Sequence, residues 1–344
     1  MNIVVLAGGT STERLISIIS GTGVCRALRA RGHNAVLVDV FAGDSRACEA
    51  DFFPDKYDVD AASAYMSSFN DRIEAMVAER KGFFGPNVLE LCMHADMVFM
   101  ALHGANGEDG RVQAAFDLMG ILYTGAGCLS SAIAMDKNIT KSMFVSGGVP
   151  TAKAYGIERG NAPTPTEKGL AYPVIVKPAC GGSSVGCTIA ANEEEYVKGV
   201  DTALALETTA IVEEFAKGRE FSVGVIEGKA LPVIEIAPKV GFYDYKTKSE
   251  PGATIETCPA EITDEQATRM QRHAEQAMKV LGIEAYCRVD FIMREDGSMI
   301  ALEANTLPGM TPTSLLPQEA AAVGMDYESL CEHIIEVSQR KYNA

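Results

Sequence analysis

The sequence predicts a parallel α/β domain followed by α+β material. In the first third of the chain, apolar strand-like segments alternate with helix-length segments, which is typical of a parallel sheet covered by helices. Beyond Ile211 the apolar segments come in pairs joined by the two-residue turns Glu227-Gly228 and Asp296-Gly297, which indicates antiparallel hairpins. A chain of 344 residues is too long for one ordinary core, so two or three domains are expected.

Composition and charge exclude several classes of protein. Apolar residues make up 47% and charged residues 22%, which is typical of a globular protein. No apolar run is long enough to span a membrane, and the opening "MNIVVLAGG" is too short for a signal peptide and lacks a basic flank. The net charge of −16 argues against sequence-independent binding to nucleic acid or to an anionic membrane.

The cysteines indicate a reducing compartment. Nine cysteines are scattered without a CxxC pair, which favours reduced, mostly buried thiols and a cytoplasmic location. Cys180 and Cys187 flank a glycine-rich loop, but no histidine lies near them in the sequence. We therefore interpret both as small core-filling residues rather than nucleophiles.

The first part of the chain places two polar loops at one edge of the predicted sheet. Three segments are predicted as strands: "NIVVLAG", "NAVLVDV" and "ADMVFMAL". The helix after the first strand carries Ile16, Ile19, Val24 and Leu28 at roughly helical spacing. The loops "AGGTSTER" and "HGANGEDGR" follow the first and third strands, and ligands bind beyond the carboxyl ends of such strands.

The middle of the chain contains a glycine-rich loop between two short strands. "MDKNITKSMFVSGGVPTAKAYGI" predicts a helix closed by glycine and then a strand, and "EEEYVKGVDTALAL" a later helix. Between them, "YPVIVKPA" and "CTIA" are strands that flank "CGGSSVG". This loop is neither a Walker A loop nor a GxGxxG motif, and alone a plain hairpin turn would explain it.

The second hairpin predicts a cluster of polar residues. Counting back from its turn gives three cross-strand pairs: Glu295 with Ser298, Asp290 with Glu303, and Arg288 with Asn305. The apolar residues predicted for the opposite face are Val289, Phe291, Met293, Ile300, Leu302 and Ala304. Two carboxylates and an amide oxygen suit Mg²⁺, whereas the alternative is a solvated ion-pair cluster with the arginine. We favour the metal site. Together with Lys137 and Lys177, which would contact phosphates, the hairpin predicts a nucleotide held between two β-rich layers.

The ordered motifs of the chain resemble the ATP-grasp superfamily, and within it the D-alanine–D-alanine ligases. The matching strings are "AGGTSTER", "LHGANGEDGRVQ", "YTG", "MDK", "VKPACGGSSVG", "VEEF", "GREFSV", "FYDYKTK", "RVDF" and "LEANTLPGMTPTSLLP". The resemblance implies a Rossmann-like substrate domain over 1–134 and a two-part ATP-grasp fold. Residues 135–211 would form the central subdomain with a glycine-rich lid, and residues 212–344 the subdomain with the Mg²⁺ site.

The resemblance also implies a role for individual residues around ATP. The phosphates would be bound by Lys137, Lys177 and Ser184, with Lys248 at the γ-phosphate. The adenine edge would be bound by Glu213 with the backbone of Glu214, Phe215 and Ala216, and the ribose by Glu220. Two Mg²⁺ or Mn²⁺ ions would be held by Asp290, Glu303 and Asn305, in agreement with the hairpin count.

The substrate residues follow from the same resemblance. Glu13 would hold the first D-amino acid's ammonium, His103 would lie near its carboxylate, and Ser183 would link to Glu13. Arg288 and the N–H of Gly309 would form the oxyanion hole, and Ser314 and Leu315 would bind the second carboxylate. The expected activity is ATP-dependent joining of two D-alanines through an acyl phosphate for peptidoglycan synthesis, in a homodimer that forms through the first domain.

Two positions depart from the family pattern. Ser249 stands where the family usually carries the tyrosine that reaches the residues matching Glu13 and Ser183, so the second substrate could instead be D-serine or D-lactate. Gly181 stands where many members carry a glutamate, which loosens the lid. A catalytically weakened nucleotide-binding homologue remains an alternative. Biotin-carboxylase-like and L-amino-acid ligases would not carry the "HGANGEDG" and "PGMTPTSLLP" strings. A sugar- or NAD-binding Rossmann protein is excluded because "AGGTSTE" lacks GxGxxG and the second half of the chain has no place for that motif.

Overall fold

The computed structural model describes residues 1–44, 51–182, 184–238 and 254–343. Within these ranges the strands form a three-stranded parallel sheet and two antiparallel sheets. No helix among the described residues is long and apolar enough to cross a membrane.

The first sheet has the parallel topology that the alternating pattern predicts. Its order is β2-β1-β3, and the strands are β1 (Asn2–Ala7), β2 (Asn34–Asp39) and β3 (Met97–Met100). The accompanying helices are α1 (Arg14–Ala30), α2 (Val59–Ser67), α3 (Ile73–Glu79), α4 (Val88–His94) and α5 (Arg111–Met119). The strands are buried almost throughout because helices cover the sheet, which explains their unbroken apolar sequences.

The buried face of α1 differs by one residue from the predicted one. Val24 and Leu28 are fully buried, as the helical spacing predicts, but Ile19 is 52% exposed and Ile18 lies in the core. An added Cβ at Gly21 would lie 2.6 Å from the Cβ of Ala7, so this close approach of helix and strand requires glycine.

The second sheet carries the glycine-rich loop. Two helices lead into it, α6 (Cys128–Met135) and α7 (Lys137–Ser146). Its order is β4-β7-β5-β6, with β4 (Ala154–Glu158), β5 (Val174–Pro178), β6 (Thr188–Ala190) and β7 (Thr209–Glu214), and α8 (Glu193–Leu206) packs against it. The loop lies between β5 and β6, which pair antiparallel as expected.

The third sheet follows the predicted antiparallel hairpins. Its strands are β8 (Arg219–Ile226), β9 (Lys229–Ala230), β10 (Ile234–Pro238), β11 (Thr254–Thr257), β12 (Tyr286–Met293) and β13 (Met299–Asn305). The main order is β11-β10-β8-β12-β13, and β9 pairs with β8. The remaining helices are α9 (Asp264–Val280), α10 (Leu315–Ala322) and α11 (Tyr327–Arg340).

The β12–β13 hairpin has the predicted polar pairs but not the predicted turn. Two pairs are as counted: Arg288 with Asn305, and Asp290 with Glu303. At the turn, the N–H of Arg294 donates to the carbonyl of Ser298 at 2.9 Å, so Arg294 rather than Glu295 closes the hairpin. The register then shifts at Phe291, which leaves Leu302 as an extra residue in a β-bulge. The turn has one residue more than predicted and the bulge adds one residue to β13, so the two shifts of register cancel. The pairs predicted at the open end of the hairpin are therefore correct.

The bulge changes which residues of β13 face the core. Ile300 and Leu302 were predicted on the core face, but they pack with Ile292 on the opposite side of the sheet. Met299 and Ala301 take the core positions instead. A one-residue change of register moves side chains to the other face, which is the reason for this error.

The predicted domain boundaries do not coincide with the groups of elements that pack together. The boundary between 211 and 212 falls inside β7, which pairs with both β4 and β5. The C-terminal helix α11 does not pack within the third region alone. Its buried residues belong to the core of the first sheet: Leu330, Cys331, Ile334, Ile335 and Val337.

Candidate active site

A cleft lies between the second and third sheets, and most of the predicted nucleotide residues line it. It contains about 930 Å³ of empty space, which includes open solvent. The predicted residues on its wall are Lys137, Lys177, Ser184, Glu213, Glu214, Phe215, Ala216, Glu220, Asp290 and Glu303. Ile175, Ile292 and Leu302 add apolar surface. The wall therefore combines an apolar section with a charged section.

Two buried lysines share one buried carboxylate at the end of β5 and β7. Glu213 lies 2.8 Å from the ammonium of Lys177 and 3.0 Å from that of Lys141. Burial alone would raise the pKa of Glu213, but the two ammonium charges outweigh it, so the pKa is lowered and the carboxylate is ionised. Burial would lower the pKa of Lys177, but the charges of Glu213 and Glu303 raise it.

Lys137 connects the glycine-rich loop to the acidic hairpin. It begins α7, where Asp136 caps the helix by accepting from the N–H groups of Asn138 and Ile139. The Lys137 ammonium donates to the carbonyl of Gly181 and lies 3.7 Å from Glu303. The lysine is therefore held where the glycine-rich loop, helix α7 and the β12–β13 hairpin meet.

Asp290 is the centre of the polar face of the hairpin. It is buried and its two oxygens accept from both ends of the Arg288 guanidinium at 2.8 and 2.9 Å. The hydroxyl of Ser222 on β8 donates to it at 2.6 Å, and the amide of Asn305 donates at 3.0 Å. Charge-assisted hydrogen bonds of this kind fix the carboxylate in one orientation.

The donor set at this face fits a hard divalent cation. Asp290 and Glu303 line the cleft as cross-strand partners, and Asn305 is joined to Asp290 directly. Carboxylate and amide oxygens are what Mg²⁺ prefers. No three His, Cys, Asp or Glu side chains cluster as a metal site in the part of the chain that the structure describes. The predicted set has two carboxylates and the amide of Asn305, so it contains only two residues of those four types.

At the end of β7, the predicted adenine position, two backbone N–H groups already have acceptors and Glu214 has an ion pair. The N–H of Glu214 donates to the carbonyl of Lys153 at 2.9 Å, and that of Phe215 to Pro173 at 3.4 Å. The Glu214 carboxylate accepts from Arg294 at 2.6 Å. The Glu213 carboxylate is held by two lysines, so its contact with adenine stays a prediction.

The predicted ammonium site lies in the loop between β1 and α1. Glu13 is the N-cap residue of α1. A Cβ added at Gly104 would lie 2.9 Å from a Glu13 oxygen, and one added at Gly182 would lie 3.2 Å from it. Because Gly104 also has a φ of +71°, glycine is the residue that this approach allows. The Glu13 carboxylate thus reaches the lid residue next to Ser183.

His103 is tied to the loop that follows β13. One ring nitrogen, Nδ1, lies 3.1 Å from the carbonyl of Leu307, and Nε2 lies 3.1 Å from the hydroxyl of Ser20. A carbonyl only accepts, so Nδ1 carries the proton and Nε2 accepts from the hydroxyl. Burial lowers the pKa of His103, which keeps the ring neutral.

Glu108 holds the same loop from the other side. Its carboxylate accepts from the N–H of Leu307 at 3.3 Å and from the N–H of Gly104 at 2.7 Å. Burial, with a smaller effect of the Glu13 charge, raises the pKa of Glu108 to about 8. His103 and Glu108 together bind both the carbonyl and the N–H of Leu307.

The predicted second-substrate residues form the start of α10. Ser314 is the N-cap residue, and its hydroxyl accepts from the N–H of Thr311 at 3.0 Å. A Cβ at Gly309 would lie 2.9 Å from that hydroxyl, so the loop approaches the helix closely. The Leu315 side chain is buried against β10, which leaves its backbone at a helix N-terminus, where anions are favoured.

Some predictions cannot be placed and some residues were missed. Ser183, Lys248 and Ser249 lie outside the described residues. The sequence reasoning missed Lys141, Ser222 and Glu108, although Lys141 follows Lys137 at helical i, i+4 spacing and Glu108 lies in "HGANGEDG". Eight of the nine cysteines lie among the described residues.

The two cysteines beside the lid do not have the features of nucleophiles. Burial raises the pKa of Cys180 to about 11 and raises that of Cys187 despite the nearby Lys177. A thiol must ionise to attack, so neither is activated at neutral pH. The prediction that they fill the core is wrong, because both are only half-buried and Cys187 lines the cleft.

Two antiparallel sheets that close on a lysine-containing cleft define the ATP-grasp class of nucleotide-binding proteins. Family models described as "D-ala D-ala ligase N-terminus" and "D-ala D-ala ligase C-terminus" match residues 2–126 and 144–336. The chain belongs to the D-alanine–D-alanine ligase family. It is 43% identical to the D-alanine–D-alanine ligase of Pediococcus pentosaceus, over 100% of this chain and 99% of that protein, and 42% identical to that of Lacticaseibacillus casei, over 99% and 97%.

Solved structures agree with this assignment. The D-alanine–D-alanine ligase of Bacillus anthracis complexed with ATP is 28% identical, with a TM-score of 0.77 over 100% of both chains. The ligase from Coxiella burnetii, at 24% identity and a TM-score of 0.78 over 100% of this chain and 95% of that one, shares the fold. The predicted fold class and family are confirmed.

Proposed function

We propose that this protein is an ATP-dependent, ADP-forming ligase that joins two D-alanines into D-alanyl-D-alanine for peptidoglycan. The observation that carries the proposal is the convergence of the predicted ATP-contacting residues on one cleft, with the Glu13 carboxylate close to Gly182 of the glycine-rich loop. Family membership over the full chain supports the same reaction.

The cleft would bind ATP with its phosphates toward the lid. Lys137 and Lys177 would contact the phosphates, with Ser184 from the lid, because their ammonium groups are held on the wall by Gly181 and Glu213. The backbone of 214–216 would face the adenine, and Glu220 the ribose. Lys248 would reach the γ-phosphate from outside the described residues.

Asp290, Glu303 and Asn305 would hold two divalent cations, Mg²⁺ or Mn²⁺, which would compensate the negative charge of the phosphates. Arg288 and Ser222 fix the orientation of Asp290 beforehand. Preorganised groups of this kind act without rearranging during the reaction.

In the first step, a carboxylate oxygen of the first D-alanine attacks the γ-phosphorus and ADP leaves. Glu13 would hold the substrate ammonium, with Ser183 beside it, and the neutral His103 would face the carboxylate. The resulting acyl phosphate hydrolyses unless the lid over residues 179–187 excludes water. Lys137 holds the lid through Gly181, so closure and phosphate binding would be coupled.

In the second step, the amine of the second D-alanine attacks the acyl carbon and phosphate leaves. Arg288 and the N–H of Gly309 would stabilise the oxyanion that forms. Ser314 and the N-terminus of α10 would bind the second carboxylate, with Leu315 at the first position of the helix. Ser249 lies in the segment expected to cover this substrate.

Two further features belong to this proposal. The enzyme would act in the cytoplasm, where ATP is available, and as a homodimer through its first domain. Leu118 and Leu129, near the end of α5 and the start of α6, are 90% and 73% exposed, and large apolar side chains of this kind are common at interfaces between subunits. Size-exclusion chromatography with light scattering tests the dimer, which a monomer mass would rule out.

The activity is tested by measuring ADP release with MgATP and D-alanine, with L-alanine as control, and identifying the product by mass. The proposal predicts ADP and phosphate in equal amounts with D-alanyl-D-alanine, and none with L-alanine. ADP release without a dipeptide would contradict it. A mixed product after addition of D-serine or D-lactate would instead assign a different second substrate.

A further inference from the structure

The cleft that would receive a polyanion has more acidic than basic side chains on its wall. Its described charged residues are Lys137, Lys177, Glu213, Glu214, Glu220, Asp290 and Glu303. Two cations against five carboxylates would repel ATP if nothing else compensated. Compensation can come from groups behind the wall, from bound cations and from the segment that carries Lys248, which lies outside the described residues.

Three carboxylates of the wall have a cationic partner that lies behind it. Arg294 lies 2.6 Å from Glu214, and Arg288 lies 2.8 Å from Asp290. Lys141 lies 3.0 Å from Glu213. None of the three cations is among the described residues that line the cleft.

Lys141 is the most enclosed of these cations. Its side chain is 5% exposed, against 15% for Arg288 and 32% for Arg294, so water screens it least. Its ammonium also donates to the hydroxyl of Thr151 at 2.8 Å, and that hydroxyl donates to the carbonyl of Ala301 on β13. Lys141 is thus fixed between α7 and the third sheet, and both sheets of the cleft determine its position.

Resting on the proposed function, we propose that Lys141 is a positioning residue for ATP that acts through Glu213 on Lys177. With Lys141 present, the group of two ammoniums and one carboxylate has a net positive charge, and Lys177 can face a phosphate. Without it, Lys177 and Glu213 would form a neutral pair. The Lys177 ammonium would then be held by the carboxylate, and its attraction for ATP would fall.

Burial lowers the pKa of Lys141 more than the charge of Glu213 raises it. The charge of this lysine is therefore more sensitive to pH than that of Lys177, whose pKa is raised. The charged groups that face Lys141 are Glu213, Lys177 and, at longer range, Glu303. ATP affinity is accordingly expected to fall at alkaline pH in the unmodified protein, and this fall is expected to be absent when Lys141 is replaced.

The test is calorimetric titration of ATP with Mg²⁺, without D-alanine, into the full chain and its variants. Lys141→Met should weaken binding about ten- to a hundredfold, the value of one lost charge-assisted interaction. Lys141→Arg should stay close to the unmodified protein. The matched control is Lys198→Met on α8, an exposed lysine paired with Glu194, and it should change nothing.

A double variant separates charge from packing. Glu213→Gln removes the carboxylate that holds Lys177, and because Glu213 is also a predicted adenine residue, it is measured alone and together with Lys141→Met. In the Glu213→Gln background, Lys141→Met should cost little affinity, whereas a role in packing alone predicts the same loss in both backgrounds. The inference is contradicted if Lys141→Met binds ATP normally, or if it costs as much affinity in the Glu213→Gln background as in the unmodified protein. If the unmodified protein binds no ATP, the proposed function fails as well, which is a different outcome.

Discussion

Lys177 is the residue on which the proposed chemistry depends most directly. It ends β5, is nearly buried, and carries a positive charge that Glu213 and Glu303 stabilise. Its position beside the lid follows from the sequence "VIVKPACGG". The apolar strand ends at lysine and proline, because proline has no N–H to continue the ladder of hydrogen bonds, and the glycine-rich loop begins there. Lys141, which shares Glu213 with Lys177, could not be found that way, because only the tertiary packing of helix α7 and strands β5 and β7 brings the two lysines to the same carboxylate.

Replacing Lys177 by alanine is expected to reduce ADP release at least about a hundredfold, as for loss of a preorganised charged group. The measurement is steady-state ADP formation with MgATP and D-alanine. Lys198→Ala, at an exposed surface position, is the control and should retain full activity. Full turnover by Lys177→Ala would remove the assignment of the cleft to ATP.

Glu319 is a buried acid whose proton should affect stability. It accepts from the N–H of Gly224 with both oxygens at 3.0 Å, and burial raises its pKa from the ordinary value of 4.5 to about 8. Between these two pH values the folded protein keeps a proton that the unfolded chain loses, so the free energy of unfolding falls as pH rises. The slope from this one group is at most about 1.4 kcal/mol per pH unit.

The Glu319→Gln variant should lose that contribution while keeping an acceptor for the Gly224 N–H. Urea unfolding at several pH values between 5 and 8 would compare the two proteins. The expected result is a flatter pH dependence in the variant. Parallel curves would show that Glu319 is already ionised in the folded state.

Among the elements, the β12–β13 hairpin shows how far sequence patterns reach. The pairs at its open end were predicted because polar residues at i, i+2 spacing must share a face. The bulge at Leu302 was not predictable, because it depends on how the neighbouring sheet packs. It places two consecutive residues, Leu302 and Glu303, on the wall of the cleft, which a regular strand cannot do.

The contact between α10 and β8 also predicts a stability effect. A Cβ at Gly224 would lie 2.4 Å from Leu316 and 2.7 Å from a Glu319 oxygen. Gly224→Ala should therefore lower the free energy of unfolding by about 1–3 kcal/mol, as overpacking does. Urea unfolding would measure it, with Gly82→Ala as control, because a Cβ there meets nothing within 4 Å. Equal stability of the two variants would show that the helix can move without cost.

At the scale of the whole molecule, the site is assembled from parts distant in the sequence. The loop of 103–108 binds the backbone of Leu307, about 200 residues later, and α11 packs into the first core. Division of the chain into consecutive segments could not reveal this, because the C-terminal helix carries an ordinary amphipathic pattern. The class of fold was predictable from local motifs, and the described residues that those motifs assign to the nucleotide line one cleft, but the contacts between regions were not predictable.

Glu108→Ala tests the connection between the regions. Two N–H groups would lose their acceptor, and the loop with Asn305 and Gly309 would be less fixed. We expect about a tenfold lower kcat with a nearly unchanged KM for ATP, since a loss of about 1.4 kcal/mol in the transition state corresponds to tenfold. Glu90→Ala on α4 is the surface control. An increase in KM for ATP alone would contradict a role at the substrate crevice.

The central claim is that the D-alanine carboxylate is phosphorylated by ATP before the peptide bond forms. The direct measurement uses D-alanine labelled with ¹⁸O in its carboxylate and determines the masses of phosphate and product. The account predicts one ¹⁸O in the released phosphate and one in the amide of D-alanyl-D-alanine, because the oxygen that attacks phosphorus leaves with it. Unlabelled phosphate, or AMP in place of ADP, would contradict the account.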